Sequence, residues 1–284
     1  MAEIIFKKAG IWTSLQDGGR FNQAKMGIPV SGPMDSISFQ LTNHLIRHDP
    51  LDSCLEIYMG GLELMFTESC QVVCYGALSK ISIGLTQYAQ GRIFTVKKGE
   101  ILTISNFEKG QWLYLSLHGR LETEELLGSR SFYIPVTKKE KFQDGEKLTF
   151  IPNERLLPTS YARIGRPMHL SEKIVEVYPG PDFSLLTKTQ RVMLFSKPFS
   201  LSQSQNRMGI HLVETLTNQM EELLSAPIYP GTVQLTPSGK IIVMMKDAQV
   251  TGGYPRILQL SEKAIGILAQ KRPFERIYFQ LIFF

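Results

Sequence analysis

The chain has 284 residues, 43% hydrophobic and 20% charged, the make-up of a soluble globular protein with room for one large domain or two of ordinary size. Its net charge of +5 is spread without any block of five or six like charges, which argues against a nucleic-acid arm and suits an anionic substrate. No run approaches the roughly 18 apolar residues of a membrane span, and the start MAEIIFKKAG has no signal-peptide pattern. The expectation is a cytoplasmic protein without membrane or nucleic-acid partners.

In chain order, the first notable stretch is residues 13–35, TSLQDGGRFNQAKMGIPVSGPMD. Two carboxylates, an amide, a guanidinium and several glycines crowd a segment with no long helix or strand. Such polar irregular stretches cost entropy to order and bury little apolar area, so this one reads as part of a site. Gln16, Asp17 and Arg20 either converge on one side of the Gly18-Gly19 turn to meet a ligand, or Asp17 and Arg20 close a plain β-turn as an ion pair. Asp35 is a good N-cap for a first helix with Ile37, Leu41 and Leu45 on one stripe; alternatively a ligand anion sits at that helix start beside Ser31.

Short β-type runs follow: CLEIYM, LELMF, QVVCYG, RIFTV, ILTIS and QWLYLSL, after IIFK at the start. They are rich in Ile, Val, Phe and Tyr, and many are separated by turn residues, the pattern of barrels or sandwiches. Cys54, Cys70 and Cys74 are an odd set expected to be reduced. Cys70 and Cys74 share a strand face, as packing thiols in preference to a metal or redox pair. His44 and His48 stand four apart, but no third ligand is evident, so no metal site is expected. His118 ends a buried-looking strand. ETEELL is a short acidic helix candidate before LGSRS, where Gly128, Ser129 and Arg130 form either an anion nest or a helix C-cap.

Between residues 152 and 172 the periodicity lapses, which divides the chain into lobes over residues 1–155 and 172–284, with strand exchange between them allowed. The second half continues with strands IVEVY, VMLF, KIIVMMK, RILQL and RIYFQLIFF and helices over residues 218–224 and 261–269, the latter with Ile265 and Leu268 inward. CLEIYMGGLEL and IVEVYPGPDFSL echo one another, a hint of duplication. Arg207 in NRMGI is either a carboxylate or phosphate clamp or half of a structural ion pair. Thr251, Gly252, Gly253 and Tyr254, after Asp247 and Gln249, form either a pocket lip or simple punctuation. No nucleotide cradle or serine nucleophile elbow occurs.

Taken in order, these motifs resemble one family, the biotin-dependent carboxyltransferase-like proteins, also called allophanate hydrolase subunit 2 or kinase A anti-inhibitor. The resemblance runs through residues 13–20, then 27–35 (GIPVSGPMD), Asn43, Leu55 and Glu56. It continues through GSRS at 128–131, PGP at 179–181, NRMG at 206–209, the stretch 225–234 ending in Gln234, and Asp247 with TGGYP at 251–255. The chain departs from the family pattern at residues 118–121, 132–142 and 210–211.

The resemblance implies a mainly β protein of two cyclophilin-like β-barrel lobes with a few short helices. It also implies an activity, nearest the branch of C-type 5-oxoprolinase subunits: ATP-dependent opening of the lactam 5-oxoproline (pyroglutamate) to glutamate. The partners implied are an allophanate hydrolase subunit 1-like chain and a lactam-opening subunit, and the chain is expected to be inactive without them. ATP with Mg is the implied cofactor, and biotin is not covalently carried here, since Met244-Met245-Lys246 is not a biotinylation motif. Gln16, Asp17, Arg20, Asp35, Arg207 and Asp247 are then the catalytic set. Ser31, Asn43, Ser129, Arg130, Gln234, Thr251, Gly252, Gly253 and Tyr254 are the substrate-binding set. Lactam activation puts charge on an oxygen, which arginines and preorganised N–H donors stabilise. Two other readings remain open: a regulatory protein that sequesters a kinase inhibitor, and a carboxyltransferase-type subunit acting on urea or another small amide.

Overall fold

The structure, a computed structural model, describes residues 1–158, 164–218, 220 and 222–283. The chain divides into two compact units: Met1–Arg20 with Ser31–Met168, and Phe21–Val30 with His169–Phe284. Residues 159–163, inside the stretch where the lobe boundary is expected, lie outside the described residues.

In chain order the first unit holds β1 (Ala2–Ala9), β2 (Trp12–Gln16), α1 (Ser36–Leu45), β3 (Cys54–Tyr58), β4 (Leu62–Phe66), β5 (Cys70–Leu78), β6 (Ile81–Ile83), β7 (Thr86–Tyr88), β8 (Phe94–Val96), β9 (Ile101–Ile104), β10 (Lys109–Leu117), β11 (Gly119–Glu122) and β12 (Lys147–Pro152). They form a seven-stranded sheet, β11-β12-β1-β4-β9-β6-β7, and a five-stranded sheet, β2-β3-β10-β5-β8. One apolar core joins the two, with Ile4, Phe6, Leu64 and Phe66 from the first sheet and Leu15, Leu55, Ile57, Leu113 and Leu115 from the second.

The five-stranded sheet explains where the polar residues go. Side chains alternate across a strand, and antiparallel pairing sets Ser14 beside Glu56 and Glu56 beside Tyr114. Leu15, Leu55, Leu113 and Cys74 therefore face the core, while Ser14, Gln16, Glu56 and Tyr114 line the opposite face, against which α1 packs.

This corrects the expected register of α1. Its buried residues are Ser36, Ser38, Phe39, Thr42 and Asn43, while Ile37, Leu41 and Leu45 are half-buried. The sheet face beneath it is polar, so the helix turns its hydroxyls and amide inward. Phe39 meets the edge of Tyr114, ring centroids 5.8 Å apart.

The second unit holds β13 (Ile174–Pro179), α2 (Lys188–Ser196), β14 (Phe199–Gln205), β15 (Gly209–Leu212), β16 (Ala226–Pro227), β17 (Thr232–Leu235), β18 (Ile241–Met244), β19 (Thr251–Gly252), β20 (Arg256–Leu260), α3 (Glu262–Ala269) and β21 (Arg276–Leu281). Seven of these close a barrel in the order β13-β20-β17-β18-β15-β14-β21, sealed by a parallel pairing of β13 with β21. Closure removes free edges. Helix α3 starts at the Ser261 cap and buries Ile265 and Leu268 as expected.

The architecture is mainly β with few helices, as expected, and three local expectations fail. VMLF is not a strand but the middle of α2, which Thr187 and Gln190 begin with a reciprocal capping box. ETEELL is not a helix: Leu126 and Ser129 exchange backbone hydrogen bonds across a tight turn in which Leu127 and Gly128 both have positive φ. Of residues 218–224, positions 219 and 221 lie outside the described residues, and the described ones are not helical.

The three cysteines are unpaired and buried. Burial pushes the thiols up, Cys70 to about 12 and Cys74 further; Cys54 also rises, by burial first and then by the nearby Glu56 and Asp17 carboxylates. An unfolded thiol ionises near 9.0. Above that pH the folded chain holds more protons than the unfolded one, so stability present below pH 9.0 is lost as pH rises towards 12. Three such groups give a slope of up to about 4 kcal/mol per pH unit. Urea unfolding midpoints measured on either side of pH 9.0 are expected to drop steeply on the alkaline side; a flat profile would contradict the burial.

Candidate functional site

The first unit builds a polar layer from the end of β2, the α1 N-terminus and the turn after β11. The Asp17 carboxylate is its hub. Its Oδ1 accepts from the Gly19 N–H at 3.0 Å, the Ser129 hydroxyl at 2.6 Å and the Ser131 hydroxyl at 2.7 Å; its Oδ2 accepts from the Arg130 N–H at 2.6 Å. The expected anion nest at residues 128–131 thus exists, and Asp17 is the anion it holds. Arg20, fully buried, donates from Nε to the Leu126 carbonyl at 3.1 Å and from Nη2 to the Ser131 carbonyl at 2.9 Å. Gln16, also buried, donates to Ser14 Oγ at 3.0 Å. These three residues and the loop 126–131 are therefore one hydrogen-bonded body. Gly32 completes it: at φ +79° a Cβ there would lie 3.2 Å from the Asp17 carbonyl oxygen and the Gly19 Cα.

A second network lies under α1. Asp35 caps the helix, with Oδ1 accepting from the Ile37 and Ser38 N–H groups at 3.1 Å and Oδ2 from the Ser38 hydroxyl at 2.6 Å. Its own N–H donates to the Tyr114 hydroxyl at 2.8 Å, which donates in turn to Glu56 Oε2 at 2.8 Å. The same Glu56 oxygen accepts from the Met34 N–H at 2.7 Å. Burial, with the Glu56 and Asp35 carboxylates next in effect, pushes the Tyr114 phenol well above its usual 10.0. It remains a protonated donor across the physiological range.

Asn43 donates to the Asp52 carbonyl at 2.6 Å and so fastens the loop after α1. Ser31 has positive φ and a buried hydroxyl with no hydrogen-bond partner. Beside that loop, a cavity of about 180 Å³ opens between the end of β10, β11 and the turn, lined in part by His48, Asp52, Ser116, Arg120 and Arg130.

The second unit carries its own group. Arg207, in the tight β14–β15 loop, grips Asp247 bidentately, Nε to Oδ2 at 2.6 Å and Nη2 to Oδ1 at 3.1 Å, with both side chains buried. Gln234 is buried on β17 and donates to the Tyr254 carbonyl at 3.3 Å. Thr251 and Gly252 form β19, paired with Pro227 and Ala226 of β16. A Cβ at Gly253 would meet the Leu223 carbonyl oxygen at 3.0 Å. Among the described residues no group of three His, Cys, Asp or Glu side chains is placed to hold a metal ion.

Glu56 and Tyr114 stand at the centre of the first unit's polar layer, and sequence reasoning assigned them no role. The usable signal was a carboxylate in CLEIY, a strand buried on both faces. Ser131, which holds Asp17, was legible only as one letter of GSRS.

Residues 26–281, which take in most of both β units and their polar networks, match the family model "Carboxyltransferase domain, subdomain A and B", and the chain belongs to that family. Among its relatives, the C-type 5-oxoprolinase subunit of Escherichia coli is 30% identical over 276 residues, 95% of this chain and 87% of that protein. Urea amidolyase of Lachancea kluyveri is 30% identical over 125 residues, 44% of this chain and 7% of that protein. The crystal structure of TTHA0988 superposes with a TM-score of 0.90 at 25% identity, covering 99% of this chain and 56% of that one.

Proposed function

We propose that the chain is the C-type subunit of an ATP-dependent 5-oxoprolinase, working with an allophanate hydrolase subunit 1-like chain and a lactam-opening chain. The observation that carries this reading is the 30% identity to the C-type 5-oxoprolinase subunit of Escherichia coli across 95% of the chain. ATP supplies the phosphoryl group that makes the lactam oxygen a leaving group, with Mg arriving on its phosphates. Within this chain, Asp17 and Asp35 act as positioning carboxylates that fix the Arg130 turn and the α1 N-terminus. Ser31, Ser129 and the Arg130 guanidinium face substrate in the first unit. In the second unit, the Arg207–Asp247 pair holds the loops that bring Gln234 and Tyr254 to a substrate amide, with Thr251, Gly252 and Gly253 shaping their approach.

Co-expression of the three chains, followed by co-purification and assay with 5-oxoproline and ATP, tests the reading. A stable complex that releases glutamate is expected. A complex that instead consumes urea with a separate biotin carrier would favour the carboxyltransferase reading, to which the urea amidolyase match lends support.

A further inference from the structure

The cavity of about 180 Å³ in the first unit has chemistry of its own. About 10–15 Å³ suffices to admit one water, and an apolar cavity of about 150 Å³ holds a benzene ring. This one therefore has room for a compact organic molecule. Ser116 lines it with a hydroxyl that is 1% exposed and has no hydrogen-bond partner. Two residues on, His118 shares that strand face, 9% exposed, with Nδ1 also lacking a partner. His118 Nε2 lies 2.9 Å from the Arg155 carbonyl oxygen. A carbonyl only accepts, so Nε2 carries the proton and Nδ1 points its remaining valence inward. His48, in the cavity wall, likewise has a buried Nδ1 without a hydrogen bond; its nearest carboxylate oxygen, on Asp52, is 4.0 Å away. Three buried polar atoms from two strand residues and one loop residue are thus unsatisfied in one neighbourhood, each at a cost of about 1–3 kcal/mol if left so.

The charged walls set the ligand's sign. Arg120 engages Glu122 through Nε, and Arg130 reaches Glu125 only at 3.6 Å and the Leu121 carbonyl only at 3.5 Å. Both guanidiniums keep donors for a planar, bidentate acceptor. Asp52 on the same wall opposes a dianion, and Leu117 and Leu121 add an apolar side.

We propose that this cavity binds a small monocarboxylate with a compact apolar body, its carboxylate held by Arg120, Arg130 and the Ser116 hydroxyl. The proposal stands apart from the oxoprolinase reading and is tested on the isolated full chain. Cyclopentanecarboxylate and acetate are titrated while the histidine ring signals are followed by NMR, with inorganic phosphate as competitor. Saturable shifts of His48 and His118 are expected, with cyclopentanecarboxylate binding at a Kd below about 1 mM and more tightly than acetate. Ser116→Ala should weaken binding about tenfold without lowering Tm, because the hydroxyl it removes has no partner to lose. Arg120→Gln, at an exposed side chain, should weaken it too and serves if Ser116→Ala does not fold. Absence of saturable shifts, wild-type affinity in the variants, or phosphate binding as well as carboxylate would overturn the proposal.

Discussion

Asp17→Asn is expected to destabilise the first unit by about 2–4 kcal/mol, although it changes one atom. The Asp17 carboxylate accepts from four donors, three on Oδ1 and one on Oδ2. An amide offers one acceptor oxygen. Whichever way it is turned, its NH2 faces either the Arg130 N–H or the Gly19, Ser129 and Ser131 donors. Ala would remove all four acceptor contacts and cost more. The measurement is urea unfolding of the isolated chain with the change in midpoint converted through the m-value. An Asp17→Asn protein that keeps wild-type stability but kills the assembled enzyme would instead make Asp17 a chemical participant. The two outcomes separate a positioning carboxylate from a catalytic one.

In the second unit, Arg207→Ala should cost about 3–5 kcal/mol, because it strands the buried Asp247 carboxylate. Asp247→Ala should cost a similar amount, since Arg207 is then the stranded charge. The double variant Arg207→Met/Asp247→Leu should recover most of the loss, as paired apolar replacements avoid the desolvation of both ions. Thermal unfolding of the four proteins gives the cycle. Single variants within about 0.5 kcal/mol of wild type would show that the pair carries little. If the double variant is stable yet inactive in the complex, the loop geometry set by the pair is the functional contribution.

What the sequence revealed was local. The Asp35 cap, the Ser261 cap, the packing thiols and most strands follow from residues a few positions apart, and the structure has them. α2 was lost because VMLF is a short apolar run, which period alone cannot assign to strand or helix. The TKTQ capping box before it was the signal that could have settled it. The inward polar face of α1 was illegible for a different reason. It depends on Ser14, Glu56 and Tyr114, brought beneath the helix by pairing among three strands. Likewise, Asp17 and the 128–131 turn each suggested an anion site, yet they are complementary halves of one contact more than a hundred residues apart in sequence. His48, Ser116 and His118 carry no motif at all; only their placement makes a cavity.

The most direct test of the proposed role is an omission experiment. The subunit 1-like and lactam-opening chains are assayed for ATP-dependent glutamate release from 5-oxoproline, with and without this chain. Release that appears only when this chain is added, at a stoichiometric ratio, is the predicted result. Equal release in its absence, from partners shown to be folded, would contradict the assignment.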